Sequence, residues 1–205
     1  MTEIAVLRPY CLIVRWKKVP SPMPSWMFDS MSNSVIGSYQ NTRGDPMLYQ
    51  IVPGCKTNQG QMLLISINKD GSIEAGVDRG AGGECSKDQL WQCIQAPNAN
   101  GAIVFVSQSF YDSNPPKFRV LRANGNRTNV DSVEISSVAQ ITDHMAWTLS
   151  GDPGEHPAIR ALYSDNQNLN VRGNEYHNGN EVATWEWSGG APNERWTLRP
   201  VGLIP

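Results

Sequence analysis

The sequence DQLWQCI at residues 88–94 returns, with its tryptophan in place, as HMAWTL at residues 144–149 and as NERWTL at residues 193–198. The three tryptophans, Trp91, Trp147 and Trp196, lie 56 and then 49 positions apart. Each period also opens with a short apolar run, and its length accommodates four strands with their turns. The repeat therefore predicts three equivalent units, each closing on a buried tryptophan.

Short apolar runs separated by Asn, Asp and Gly fill each unit, for example residues 62–67 and 102–106 with the turn Asn68-Lys69-Asp70-Gly71. This pattern is typical of strands and tight turns, and no long stretch has helical periodicity. Three units that share one core around a threefold axis also remove exposed sheet edges. We therefore predict an all-β fold, a β-trefoil whose three pseudo-repeats cover approximately residues 46–97, 98–152 and 153–205.

Residues 1–45 precede the repeat as an N-terminal extension. They contain strand-like apolar runs at 4–7 and 11–16, and a proline-rich stretch at 19–25 whose composition predicts a stiff linker. The apolar content predicts that the extension docks, either on its own trefoil or on a second subunit in a homodimer. We interpret the Arg-Gly-Asp at 43–45 as a turn at the start of the trefoil.

Composition excludes several classes of partner. The chain carries 17 Lys and Arg against 19 Asp and Glu, a net charge of -2, which gives no broad basic footprint for nucleic acid or anionic lipid. No apolar run approaches the roughly 20 residues of a membrane span, and the N-terminus lacks the pattern of a secretory signal. We therefore expect no nucleic-acid partner, no membrane insertion, and a cytoplasmic or non-classically secreted protein.

Neither a metal site nor a catalytic site is predicted. The cysteines (Cys11, Cys55, Cys85 and Cys93) form no C-x-x-C pair, and the three histidines are far apart in sequence. We interpret the cysteines as free thiols, with a Cys55–Cys93 or a Cys85–Cys93 disulfide as the alternative. No motif pairs a nucleophile with a base, so we predict a protein that is not an enzyme and needs no cofactor.

Gln89-Leu90-Trp91 resembles the Q-x-W signature of the ricin-B-type β-trefoil lectin domains. The third repeat carries the resemblance furthest, through NLNVRG at 168–173, ATWEW at 183–187 and NERW at 193–196, and its Trp-Glu-Trp is also similar to Euonymus-type lectins. The resemblance implies a lectin whose partners are glycans or glycoconjugates.

In this family one repeat forms a sugar site, where an aromatic ring stacks on the apolar face of a pyranose and polar side chains bond its hydroxyl groups. Carried over to the third repeat, the resemblance implies that Trp185 stacks on the sugar and that Asn193 belongs to the polar rim. Asn170 stands where the family has an aspartate, and Glu194 stands where Q-x-W has its glutamine. We expect both to complete the rim.

His177 and Asn180 are further candidates, as lining residues from the adjoining loop. Trp187 matches a position that faces the core in the family, so we expect it to be structural. The first repeat has no aromatic residue in its third strand, at 72–76, and the second replaces the signature by residues 144–146. We therefore expect one main sugar site, in the third repeat.

The alternative is a protein-binding β-trefoil, such as a protease inhibitor or a component of a toxin complex. Two degenerate repeats and an unusual extension favour it, because trefoil loops serve other partners readily.

Overall fold

A computed structural model describes residues 47–82, 86–97, 99–109, 118–150, 158–173 and 175–203. Within these ranges twelve strands form three groups of four. The first group is β1 (Met47–Pro53), β2 (Leu63–Ile67), β3 (Ile73–Val77) and β4 (Trp91–Gln95); the second is β5 (Ala102–Ser107), β6 (Phe118–Arg122), β7 (Asp131–Ile135) and β8 (Trp147–Ser150); the third is β9 (Ala158–Ala161), β10 (Asn168–Val171), β11 (Asn180–Trp185) and β12 (Trp196–Leu203).

Four short 3-10 turns accompany the strands, at Arg79–Gly82, Lys87–Gln89, Val138–Gln140 and Asp143–Met145. The described residues contain no helix long and apolar enough to cross a membrane. The predicted extension at 1–45 and its Arg-Gly-Asp lie outside the described residues.

All strand pairs are antiparallel, and the pairing repeats from group to group. The second and third strands of each group pair as β2–β3, β6–β7 and β10–β11. First and last strands pair with neighbouring groups, as in β4–β5 and β8–β9. β12 returns to pair with β1 and sets Leu203 opposite Met47, which closes the ring. This arrangement confirms the predicted all-β, threefold architecture.

The three signature tryptophans make the same contact in each repeat. Each is fully buried, as predicted. Each indole Nε1 donates a hydrogen bond to a carbonyl of the second strand of its own repeat: Trp91 to Ile65 at 3.1 Å, Trp147 to Leu121 at 3.2 Å, and Trp196 to Leu169 at 2.9 Å. A buried indole needs a partner for its N–H, so these bonds fix equivalent positions in the three repeats.

The main core is shared by the three repeats. It includes two residues from the first strand of each group, together with the three tryptophans: Tyr49 and Ile51, Ile103 and Phe105, Ile159 and Ala161. Burying one large apolar side chain such as Ile or Phe contributes about 1.5–3 kcal/mol. No repeat could bury its apolar face alone, which explains why the repeat and the closure occur together.

Two cysteines of the described residues are buried free thiols, Cys55 and Cys93. The alternative Cys55–Cys93 disulfide is therefore absent, and the free-thiol interpretation holds for this pair. Burial raises the pKa of Cys55 to about 11 and raises the pKa of Cys93 as well. Neither thiol is ionised near neutral pH, as expected of a packing residue.

Candidate functional site

The outer face of the β10–β11 hairpin brings together two predicted site residues, Asn170 and Trp185, and a neighbour, Asn168. The register sets Asn168 opposite Trp185 and Asn170 opposite Ala183. Side chains alternate along a strand, so Leu169 points into the core while Asn168, Asn170 and Trp185 share the outer face. The alternation of polar and apolar residues in NLNV at 168–171 is what directs this face outward.

Trp185 is the one large hydrophobic side chain that is exposed among the described residues, with 37% of its surface accessible. Two guanidinium groups approach its ring, Arg127 at 5.3 Å and Arg172 at 5.9 Å from the centroid. Arg127 also bonds both carboxylate oxygens of Glu186 at 2.9 Å, and Arg172 bonds Glu181 at 3.0 Å. Cation–π contact with anchored arginines restrains the exposed indole.

Arg127 reaches this face from a different repeat. It lies in the β6–β7 loop with a positive φ of 56°, a conformation held by its backbone N–H, which donates to Gln167 Oε1 at 3.1 Å. The Thr184 N–H donates to the Thr128 carbonyl at 3.0 Å and fastens the loop to β11. The site is thus built by two repeats, and sequence reasoning within one repeat missed Arg127.

Asn170 and Asn193 meet on the same face as Trp185, two positions along β10 from Asn168, the residue opposite Trp185. The Asn193 amide donates to Asn170 Oδ1 at 2.6 Å and to the Val171 carbonyl at 3.1 Å. This arrangement uses the acceptor of Asn170 and the donor of Asn193. Among the described residues the Asn170 amide N–H and the Asn193 Oδ1 have no partner, so one donor and one acceptor remain for a ligand.

Glu194 is buried beneath this face, with no accessible surface. Its Oε1 accepts hydrogen bonds from Ser188 Oγ at 2.8 Å, from Gly190 N at 2.6 Å and from Ala191 N at 2.8 Å, while Oε2 accepts from Ser188 N at 2.9 Å. Gly190 has φ +91°, which aims its N–H at the carboxylate. Glu194 therefore organises the 188–191 loop, which corrects the prediction that it lines the polar rim.

The electrostatics of Glu194 agree with this role. Burial raises the pKa of its carboxyl, but hydrogen bonds from Ser188, Ala191 and Gly190 lower it, and the resulting pKa lies below the usual range. Gln89 stands at the equivalent position of the first repeat and uses its amide as a donor, to Ser66 Oγ and to the Val77 carbonyl, both at 2.9 Å. The carboxylate of Glu194 accepts from the N–H groups of its loop, whereas the amide of Gln89 donates to the acceptors around it.

His177 and Asn180 lie at the far end of the hairpin. Asn180 Oδ1 accepts from the His177 N–H at 2.5 Å, and its amide donates to the carbonyls of Arg172 and Glu175 at 3.0 and 3.2 Å. Asn180 is thus a brace inside the loop. Trp185 lies five positions beyond Asn180 along β11, a distance of about 16 Å at 3.3 Å per residue. The prediction that these two residues line the Trp185 site is wrong.

Trp187 differs from expectation as well. It is half-buried and belongs to neither core cluster, so the expectation that it faces the core is wrong. No group of three or more His, Cys, Asp or Glu side chains that could hold a metal ion occurs within the described ranges.

No protein-family model and no curated protein sequence matches the chain. Solved structures do match. A mosquitocidal holotoxin shares 15% identity over 75% of this chain, with a TM-score of 0.58, although the chain spans only 16% of the toxin's length. The designed threefold-symmetric protein ThreeFoil matches with 18% identity over 75% of this chain and 99% of its own, with a TM-score of 0.52.

The C-half of an earthworm R-type lectin, in complex with GalNAc, matches with 17% identity over 76% of this chain and 100% of its own, with a TM-score of 0.50. The chain is a β-trefoil. An exo-β-1,3-galactanase matches too, with 20% identity over 77% of this chain and a TM-score of 0.55, so the likeness shows a fold that a lectin, a toxin and an enzyme share.

Proposed function

We propose that the chain is a carbohydrate-binding protein, a lectin, whose main sugar site is the outer face of the β10–β11 hairpin. Trp185 carries the proposal, because it is an exposed indole held in place beside two asparagine amides. A pyranose presents C–H groups on one face and hydroxyl groups around its rim. A flat ring beside separate donor and acceptor groups matches that chemistry.

The polar rim consists of Asn170 as donor and Asn193 as acceptor. Their mutual hydrogen bond at 2.6 Å orients both amides, so a sugar hydroxyl meets groups that are already in place. Each such bond gains only about 1 kcal/mol net of water. A single site of this kind binds weakly, and avidity from several contacts on one glycoconjugate would raise its affinity.

The two arginines contribute position more than charge. Arg127 is paired with Glu186 and Arg172 with Glu181, so the surroundings of the ring are electrically balanced. Balanced charge favours an uncharged sugar ring over a strongly acidic one. The resemblance of the third repeat to ricin-B-type lectins, and the lectins among the similar folds, support the same class of ligand.

Binding without turnover is part of the proposal. Glycoside hydrolysis needs a carboxylic acid with a raised pKa opposite a second carboxylate. Glu186 and Glu181 are ion-paired with the two arginines that approach the Trp185 ring, and the hydrogen bond from Arg127 lowers the pKa of Glu186 below its ordinary value. Glu186 is therefore a poor proton donor.

The decisive experiment compares Trp185→Ala with Trp187→Ala on a broad glycan array and by titration calorimetry. Trp187 is the matched control, because it lies two positions away and is half-buried. We expect Trp185→Ala to lose glycan binding while its circular dichroism stays that of the wild type, and Trp187→Ala to retain binding.

Glycan binding retained by a folded Trp185→Ala protein would show that the sugar site is not on this face. A wild-type protein that binds no glycan would overturn the lectin itself, and the protein-binding trefoil would then be pursued by pull-down.

A further inference from the structure

A second concave surface lies at the other end of the β10–β11 hairpin. It is a groove of about 370 Å³ between the β1–β2 loop at 57–61 and the β10–β11 loop at 176–178. Ligand pockets commonly hold about 300–1,000 Å³. The lining side chains are a threonine, four amides, a tyrosine and a histidine, with no carboxylate, lysine or arginine.

Backbone hydrogen bonds fix the walls of this groove. The Asn58 N–H donates to the Tyr176 carbonyl at 3.1 Å and joins the two loops. Thr57 closes its own loop, because its N–H donates to the Gln61 carbonyl at 3.0 Å and its Oγ1 accepts from the Gln61 N–H at 3.0 Å. On the other wall, Asn178 Oδ1 accepts from the Val77 N–H at 2.8 Å.

The groups that face the groove are largely unused. Among the described residues the side-chain amides of Asn58, Gln59 and Gln61 have no hydrogen-bond partner. His177 Nδ1 lies 3.0 Å from the Asn178 carbonyl, which can only accept, so Nδ1 carries the proton and Nε2 of the neutral ring is an acceptor.

Tyr176 supplies the apolar part of the groove. It is half-buried and packs against the main core cluster, which fixes its ring. A restrained ring surrounded by free amides offers one flat apolar surface with many neutral donors and acceptors. That is the chemistry of a ligand rich in hydroxyl groups and free of charge.

We propose that this groove is a second binding site, for a neutral saccharide, independent of Trp185. The groove has its own aromatic ring and its own free amides, so it would bind sugar whether or not Trp185 does. Since the two surfaces lie at opposite ends of β11, one chain could engage two sugars at once and so cross-link glycoconjugates.

The test is an NMR titration of the full chain with galactose, N-acetylglucosamine, lactose and the matched pair glucose and glucuronic acid. The side-chain amides of Gln59 and Gln61 and the His177 imidazole report on the groove, while the Trp185 indole N–H reports separately on the other face. We expect a neutral probe to shift the groove signals equally in the wild type and in Trp185→Ala.

The double variant Gln59→Ala, Gln61→Ala removes two amides that face the groove and should weaken this response at least tenfold. The loop should keep its shape, because its own hydrogen bonds use neither glutamine side chain. Asn100→Ala, an exposed amide in the β4–β5 loop, is the control that should bind as the wild type does. Groove signals that no probe moves, or that glucuronic acid moves more strongly than glucose, would overturn the proposal, whatever the Trp185 indole reports.

Discussion

The third repeat and the first two share their strands and their buried tryptophan, yet only the third presents an aromatic platform. In each repeat the buried tryptophan bonds a carbonyl of the second strand, and the residue just before that carbonyl has a cross-strand partner in the third strand. That partner is Trp185 in β11, Gly76 in β3 and Val133 in β7. Two of the three are thus small or aliphatic. The inward positions therefore carry the threefold pattern, while the outward positions differ from repeat to repeat.

The first repeat has closed its outer face with its own hydrogen bonds. A Cβ atom at Gly76 would lie 2.7 Å from Ser66 Oγ, and that hydroxyl accepts from Gln89 at 2.9 Å. On the equivalent face of the second repeat, Val120 is fully buried in a second apolar cluster and Val133 packs against that cluster. Neither repeat therefore presents an exposed aromatic ring at this position.

The largest effect is expected where the repeats agree. Trp91→Ala, Trp147→Ala and Trp196→Ala should each cost about 3–5 kcal/mol, because each removes a buried indole and leaves a cavity. Trp→Phe at the same positions keeps an aromatic ring in the core and should cost less, at least about 1–3 kcal/mol, because the carbonyl loses its donor. Urea unfolding measures all six variants, and one tryptophan whose loss leaves the midpoint unchanged would break the equivalence.

Glu194 in the third repeat and Gln89 in the first are the buried acid and amide at equivalent positions, and exchanging them should have the next largest effect. Glu194→Gln should cost about 1.5–3 kcal/mol, because a charged acceptor of several N–H groups is lost. Gln89→Glu is the reciprocal control and should also destabilise, since a carboxylate cannot donate to the Val77 carbonyl. Unchanged stability in both variants would show that the two loops accept an acid or an amide equally well.

The same carboxylate makes a pH prediction. The folded pKa of Glu194 is depressed, so its contribution is fully present above the unfolded pKa of about 4.3 and is lost as the pH falls through the folded value. Urea midpoints of the wild type should therefore fall more steeply below that pH than those of Glu194→Gln. Parallel curves for the two proteins would contradict this assignment.

A smaller effect is expected at Gly76. Gly76→Ala should cost about 1–3 kcal/mol by overpacking against Ser66, whereas Val133→Ala at the equivalent position removes two methyl groups that are only partly buried against a second apolar cluster. Adding Ser66→Ala to Gly76→Ala should restore part of the lost stability in urea unfolding. No loss in Gly76→Ala would mean that the first repeat could still accept a platform.

Much of the fold follows from the sequence because the threefold pattern lies in local spacing. The tryptophan period predicted the repeat and the burial of Trp91, Trp147 and Trp196. The alternation at 168–171 was enough to place Asn170 and Trp185 on one face.

The rest of the site depends on contacts that no local pattern encodes. Arg127 reaches Trp185 across a repeat boundary, and nothing near it in sequence announces the contact. Glu194 lies inward because the backbone N–H groups of Ser188, Gly190 and Ala191 donate to its carboxylate. His177 lies far from Trp185 because the two residues are at opposite ends of β11. The groove beside His177 is completed by the loop at 57–61, more than a hundred residues earlier in the chain.

The pairing of β12 with β1 has a topological consequence. Met47 and Leu203 are cross-strand neighbours, so the first and last strands meet about 5 Å apart. A short peptide could join them, and the backbone could then be opened at the exposed residues Pro97 and Asn100 between β4 and β5 without losing a strand pair. Circular permutation is tolerated at exposed turns of this kind. The ring of paired strands has no first repeat, so a permuted chain keeps all three.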